Sequence, residues 1–201
     1  KSRKVLILFS GAYQRCDGLA TFLRARGLTV DLVDNDPARG GGAADDVMND
    51  ARFTEIYDAV RAGAYFAVFA APPCSTFSVA RFMPPRDGSD GAPPVRDRDA
   101  IVGLESVPDG HDRELRQANR LVSRTMALLQ AAASVGAHFV LENPADRGDP
   151  NVPHLFCEAK HGPLWLMPDV RALAERHHAR LCTFPLCSFG GEVQKYTSLL
   201  Y

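Results

Sequence analysis

Several things are missing from this chain of 201 residues, and each absence narrows what it can do. No apolar run approaches the roughly 18–20 residues that a membrane-spanning helix needs, and no signal-peptide pattern is present, so no membrane partner is expected. Charge of one sign is not in excess. With 23 Lys and Arg against 24 Asp and Glu the formal net charge is -1, which excludes a global basic footprint and leaves any nucleic-acid contact to a local patch. Repeats and low-complexity tracts are absent. Cysteine is sparse and odd in number: Cys16, Cys74, Cys157, Cys182 and Cys187 form no tight framework, which fits free thiols in an intracellular, reducing compartment. What is present is apolar content of 46%, enough for the core of a single domain spanning 1–201. The chain starts at Lys1 without methionine and stops directly after Ser-Leu-Leu at Tyr201, so we expect a segment of a larger polypeptide with further domains.

The hydrophobic pattern alternates between strand and helix. KVLILF (residues 4–9) reads as a buried parallel strand because it does not alternate, and Ser10-Gly11 closes it. A helix to about Arg26 follows, with Leu19, Phe22 and Leu23 on one face and Gly27 as its stop. TVDLV (29–33) is a second strand running into Asp34-Asn35-Asp36, and Gly40-Gly41-Gly42 is expected to be a flexible loop. Asn49 caps a helix carrying Phe53, Ile56, Tyr57 and Val60. YFAVFAA (65–71) is the third strand. A helix over 118–133, a strand from His138 to Glu142, a helix from Pro168 to about Arg180 and a final strand pair within 182–200 complete the series. Such alternation predicts an α/β fold, a mostly parallel sheet with helices on both faces and the loops after the strands on one edge.

Those loops carry the chemistry. PPCSTFS (72–78) is the most telling: Pro72 and Pro73 cannot donate to a sheet, so they end pairing and leave Cys74 on a turn at the strand's carboxyl end, where α/β sheets bind ligands. Glu142 ends an apolar strand, a costly place for an unpartnered carboxylate, and Pro144 terminates that strand behind it. Phe9, Ser10 and Gly11 form a turn whose backbone amides can cradle a ligand, and Asp34 stands where nucleotide-binding folds place a ribose-binding acid. Asp46 and Asp50 are both candidates for a third ligand contact.

FSG after the first strand, an acid after the second, PPCSTFS after the third and LENP at the end of the His138 strand resemble, in the same order, motifs of the DNA cytosine carbon-5 methyltransferase family: an FxGxG-type turn, a PCQxFS nucleophile loop and an ENV loop. The likeness spans residues 5–144. It implies a Rossmann-like class I methyltransferase fold, S-adenosyl-L-methionine held by Phe9, Ser10, Gly11, Asp34, Asp46 and Pro72, and DNA as partner, with RNA or a nucleotide as related substrates. Cys74 is then the nucleophile on carbon 6 of a flipped cytosine, and Glu142 contacts the ring nitrogen and exocyclic amine. Ser78, Arg81, Asn143, Pro144 and Lys195 are the implied substrate contacts. The chain departs from the family at Ser75 and Pro144, has Tyr13-Gln14 in place of the second glycine, and lacks a QxRxR motif, for which Arg81, Arg147 and Lys195 are the substitutes available. Only about forty residues separate the ENP loop from Cys182, too few for a large target-recognition domain. These departures give a second expectation: a nucleic-acid-binding or accessory module that needs a partner or further domain.

A phosphatase loop fails on spacing, since six residues separate Cys74 from Arg81 where that chemistry needs five. Cys182, Cys187, His177 and His178 do not have a tight zinc spacing, so no metal is expected, and Trp165 reads as a packing residue. The Pro-, Gly-, Asp- and Arg-rich segment 84–116 reads as a mobile lid over Cys74, with Arg81, Arg86, Arg96 and Arg98 as phosphate contacts.

Overall fold

The computed structural model describes residues 3–84, 88, 91–190 and 195–201. It is an α/β protein with strands β1 (Lys4–Leu8), β2 (Thr29–Val33), β3 (Ala67–Ala70), β4 (His138–Pro144), β5 (Leu181–Pro185) and β6 (Tyr196–Leu200). Its α-helices are α1 (Leu19–Ala25), α2 (Asp50–Arg61), α3 (Asp112–Ser134) and α4 (Pro168–His177). The chain divides into two compact units. The first comprises Lys1–Pro72, Arg120–Glu142 and Tyr201, the second Pro73–Asn119 and Asn143–Leu200.

In the first unit β1 pairs in parallel with β2 on one side and β3 on the other, and β3 pairs in parallel with β4. Val5, Ile7 and Val30 pack with Ala20 and Leu23 of α1, while Leu6, Leu8, Val68 and Ala70, whose side chains project to the opposite face, are fully buried as well. Burial on both faces is why these strands read as unbroken apolar runs. Asn49 caps α2 as predicted, its Oδ1 accepting the amides of Ala51 at 3.0 Å and Arg52 at 3.2 Å. Helix α1 is shorter than the pattern suggests, and of the expected face Leu19 and Phe22 stay exposed; the packed residues are Ala20 and Leu23. Helix α3 begins six residues before the apolar period does, because its first turn is polar (Asp112, Glu114) and held by an Arg116–Asp112 ion pair.

In the second unit β5 and β6 form an antiparallel hairpin, and β6 reaches the end of β4 through an Ala145 amide to Tyr196 carbonyl bond of 3.1 Å. The sheet order is β2-β1-β3-β4-β6-β5. The sheet is mostly parallel, as expected, with three parallel pairings, and is made mixed by the antiparallel C-terminal hairpin. No helix of the described residues is long and apolar enough to cross a membrane.

The glycine cluster is not slack. A Cβ on Gly41 would lie 1.6 Å from the carbonyl oxygen of Asp34, so only glycine lets the loop close against the end of β2. Gly42 then donates its amide to that same carbonyl at 3.1 Å. Gly41→Ala is expected to destabilise the first unit by about 3 kcal/mol, the upper end of overpacking costs, because backbone rather than a pliable side chain must move. Urea unfolding of the variant checks this; a cost under about 1 kcal/mol would show the loop to be compliant.

Candidate active site

Strand order reverses at β1: the chain leaves it first toward β2 and later returns on its other side as β3. Ligands bind outside the carboxyl ends of strands at such a switch point. Three of the predicted segments sit there in the first unit. After β1, Phe9 and Ser10 both donate amides to the carbonyl of Val33, at 2.7 and 3.3 Å, which bends the chain across the end of β2. The bend puts Phe9 in the left-handed region at φ 58°, where a non-glycine residue carries a cost of about 1 kcal/mol that surrounding bonds must offset. Gly11 has φ 69°, and a Cβ there would meet nothing within 4 Å, so its backbone opens onto free space. Ala70 pairs with Leu141, so Ala71 and Pro72 leave the sheet at the same edge as Glu142, which is half-buried.

Asp34 does something different from a free ribose acceptor. It is 6% exposed, and its Oδ2 accepts the Gly11 amide at 2.8 Å while Oδ1 accepts the Asp36 amide at 3.0 Å. The carboxylate braces the cradle from behind. Tyr13, which stands where the family motif has glycine, contributes to the same brace: its hydroxyl accepts the Asp34 amide at 3.1 Å and lies 3.0 Å from Asp45 Oδ2. Burial first, then the Asp45 carboxylate, raise the Tyr13 hydroxyl above its ordinary pKa, so it remains a donor at neutral pH. Asp46 is half-buried and accepts the Met48 amide at 2.8 Å. The groove of about 540 Å³ along β2 shares Tyr13 and Val33 with the cradle and its brace, but none of its lining residues is an expected site residue, and Lys4 and Tyr65 on its wall both bond to Asp31.

In the second unit Cys74 is partly exposed and sits at φ -94°, ψ 6°, the bridge region that turns and active-site residues share. The residues after it are held one by one. Arg81 Nε donates to the Ser75 carbonyl at 2.6 Å, Arg96 Nη2 to Thr76 Oγ1 at 3.1 Å, and the Arg96 guanidinium lies 3.9 Å from the Phe77 ring centroid. His161 Nε2 meets the Phe77 carbonyl at 2.9 Å. Ser78 Oγ accepts the Ala80 amide at 3.2 Å, capping the next short turn.

The arginines expected on phosphates are therefore turned inward. Arg81 is tied to Glu114 and to the Pro93 carbonyl, Arg96 is 1% exposed, and Arg98 forms a two-pronged pair with Asp146 at 2.9 and 3.0 Å. Carboxylate and carbonyl partners inside the unit have taken the positions that phosphates would need. Arg86 lies outside the described residues. The described part of the 84–116 segment is fastened by buried Val95 and Arg96 and by an Asp97 turn whose Oδ1 accepts the amides of Asp99 and Ala100 at 3.0 and 2.7 Å.

The ENP residues, expected as a loop, instead form the end of β4 and are held from beneath. Trp165 Nε1 donates to the Pro144 carbonyl at 2.7 Å and Thr197 Oγ1 to the Asn143 carbonyl at 3.1 Å; Asn143 is buried, and Lys195 is exposed. Beyond β4, burial works against the Asp146 anion, yet the Arg98 guanidinium and the Gly148 amide hold its carboxyl down to about 2, while the acceptor Nδ1 of His161 stands off at 3.8 Å. A carboxyl depressed on folding stabilises above its unfolded pKa of about 4, and that contribution is lost as pH falls toward 2. We expect the second unit to lose about 2 kcal/mol between pH 5 and pH 2 through this group, and Asp146→Asn to flatten the dependence in urea titrations across that range. An unchanged slope in the variant would assign the acid sensitivity elsewhere.

Glu114 and His161 had no motif to mark them, because each acts through a partner distant in sequence. No protein-family model matches the chain, and no curated protein matches it either.

Proposed function

We propose that this chain is an S-adenosylmethionine-dependent methyltransferase of Rossmann-like class I fold, acting on carbon 5 of cytosine in DNA through a covalent adduct on Cys74. The observation that carries the reading is the switch point: a strained Phe9 turn and an open Gly11 backbone at the end of β1, and the Pro72 exit at the end of neighbouring β3, two residues before Cys74 in the sequence. The Gly11 cradle has room where a side chain would intrude, which fits a bound cofactor, and Asp34 supports its backbone. When bound, S-adenosylmethionine supplies an electrophilic methyl group on sulfur. This chain's residues supply the rest. The Cys74 thiolate adds to carbon 6, the Glu142 carboxyl group holds the ring nitrogen as negative charge develops, and carbon 5 becomes the nucleophile. Carbon 5 then takes the methyl group, the donor leaving as the neutral thioether S-adenosylhomocysteine, and loss of the carbon 5 proton to water expels the thiolate from carbon 6 and restores the ring.

Transfer of label from methyl-labelled S-adenosylmethionine to DNA, recovered as 5-methylcytosine, is the expected result; RNA and free nucleotides in parallel reactions define the substrate. The absent QxRxR motif and the near-neutral charge favour a second reading as a binding or accessory module that needs a partner or further domain. Nucleic-acid binding by folded protein with neither donor binding nor label transfer would establish that reading instead.

A further inference from the structure

We propose that His161 is a positioning residue that ties the nucleophile turn to the segment leaving β4 just after the ENP residues; this rests on the reading of Cys74 as nucleophile. His161 is 0% exposed. Its Nδ1 accepts the backbone amide of Arg147 at 3.0 Å. An amide can only donate, so Nδ1 carries no proton; the ring hydrogen is on Nε2, which donates to the Phe77 carbonyl at 2.9 Å. One neutral imidazole thus spans two loops: Phe77 is three residues after Cys74, and Arg147 three after Pro144. The Phe77 amide in turn donates to the Cys74 carbonyl at 2.9 Å, so the bond at Phe77 is relayed to the cysteine's own backbone. The ring is fixed in rotation as well, standing perpendicular to Phe82 at a centroid distance of 6.3 Å. Four residues on, Trp165 of the same segment holds the Pro144 carbonyl. A buried side chain whose two nitrogens are both satisfied by backbone, one partner from the Cys74 turn and the other from the segment that follows β4, fixes the spacing of those two segments and touches neither reactant.

The two bonds can be cut separately. Gln at 161 retains an amide donor near the Nε2 position, and Asn retains an acceptor near Nδ1. In His161→Asn the turn is released from its clamp. Alkylation of the partly exposed Cys74, followed by peptide mass spectrometry, is expected to accelerate at least fivefold. Cys16 and Cys157, already exposed, serve as internal references and stay within twofold. His161→Gln restores the native Cys74 rate within about threefold. In methyl transfer, Asn lowers kcat at least tenfold with KM for S-adenosylmethionine unchanged, and Gln rescues kcat. Equal Cys74 rates in native and Asn proteins, or equal changes in Asn and Gln, would overturn the proposal. If His161→Asn fails to fold, the nitrogen resonances of the His161 ring in native protein decide: a proton on Nε2 with bare Nδ1 supports the bridge, and any other state removes it. Native protein that transfers no methyl group but shows the predicted alkylation pattern would sink the methyltransferase reading and leave the bridge standing.

Discussion

Cys74→Ala is expected to abolish methyl transfer, by at least about a thousandfold, while the affinity for S-adenosylmethionine stays within about tenfold. The asymmetry follows from where the thiol sits. Cys74 belongs to the second unit, two residues beyond the Pro72 that leaves the switch point, whereas the Phe9 to Gly11 cradle and its Asp34 brace belong to the first. Removing one partly exposed sulfur leaves the clamps on Ser75, Thr76 and Phe77 in place, so stability should change by less than about 1 kcal/mol. Without the thiolate there is no addition at carbon 6, and carbon 5 never gains the electron density to take a methyl group. Cys74→Ser should be nearly as inactive, since a hydroxyl at neutral pH is a far poorer nucleophile. Single-turnover label transfer and donor calorimetry on the same preparations test both halves. Transfer within tenfold of native in Cys74→Ala would exclude the covalent route, and a hundredfold loss of donor affinity would make Cys74 part of the cofactor site.

The parallel half of the sheet was legible because it is buried on both faces. Val5 to Leu8 and Val68 to Ala70 had to be apolar without alternation, and Asn49 and the paired prolines punctuate the pattern with local chemistry that acts within a few residues. The antiparallel entry of β6 was not legible, because its order is set by bonds such as Ala145 to Tyr196, far apart in the chain. In the site, the residues at strand ends could be named from sequence, but what they do could not. Asp34 reads as an exposed ligand until the Gly11 amide is seen on its Oδ2, and Arg81 reads as a phosphate contact until Glu114 arrives from α3. Polarity alone does not distinguish a side chain waiting for a substrate from one already satisfied by backbone. Arg96 is the extreme case: placed by composition in a polar loop, it is among the most buried side chains of the protein.

That burial leads to the second large effect. Among the described residues Arg96 has no carboxylate in hydrogen-bond contact; Nη1 donates to the Ile101 carbonyl at 2.6 Å, and Nη2 to Thr76 Oγ1 at 3.1 Å and Asn119 Oδ1 at 3.0 Å. Burial first, and then the like charge of Arg81, lower its guanidinium to about 10, with Glu114 opposing. A basic group depressed on folding binds its proton less well in the native state, so its charge costs stability at neutral pH and its bonds must offset that cost. Arg96→Ala removes three donors and the face that covers Phe77, and should destabilise the second unit by about 4 kcal/mol through orphaned acceptors and a cavity. Arg96→Met refills the volume without a buried charge and should cost only about 2 kcal/mol. Arg96→Lys keeps the charge, but a compact, strongly hydrated ammonium cannot fork to three acceptors, so it should fare no better than Met. Trp165, the single tryptophan and buried in this unit, reports unfolding in urea without interference from the other. Lysine restoring stability to within about 1 kcal/mol of native, while methionine does not, would show that the charge itself, and not the geometry of the fork, holds the Cys74 turn.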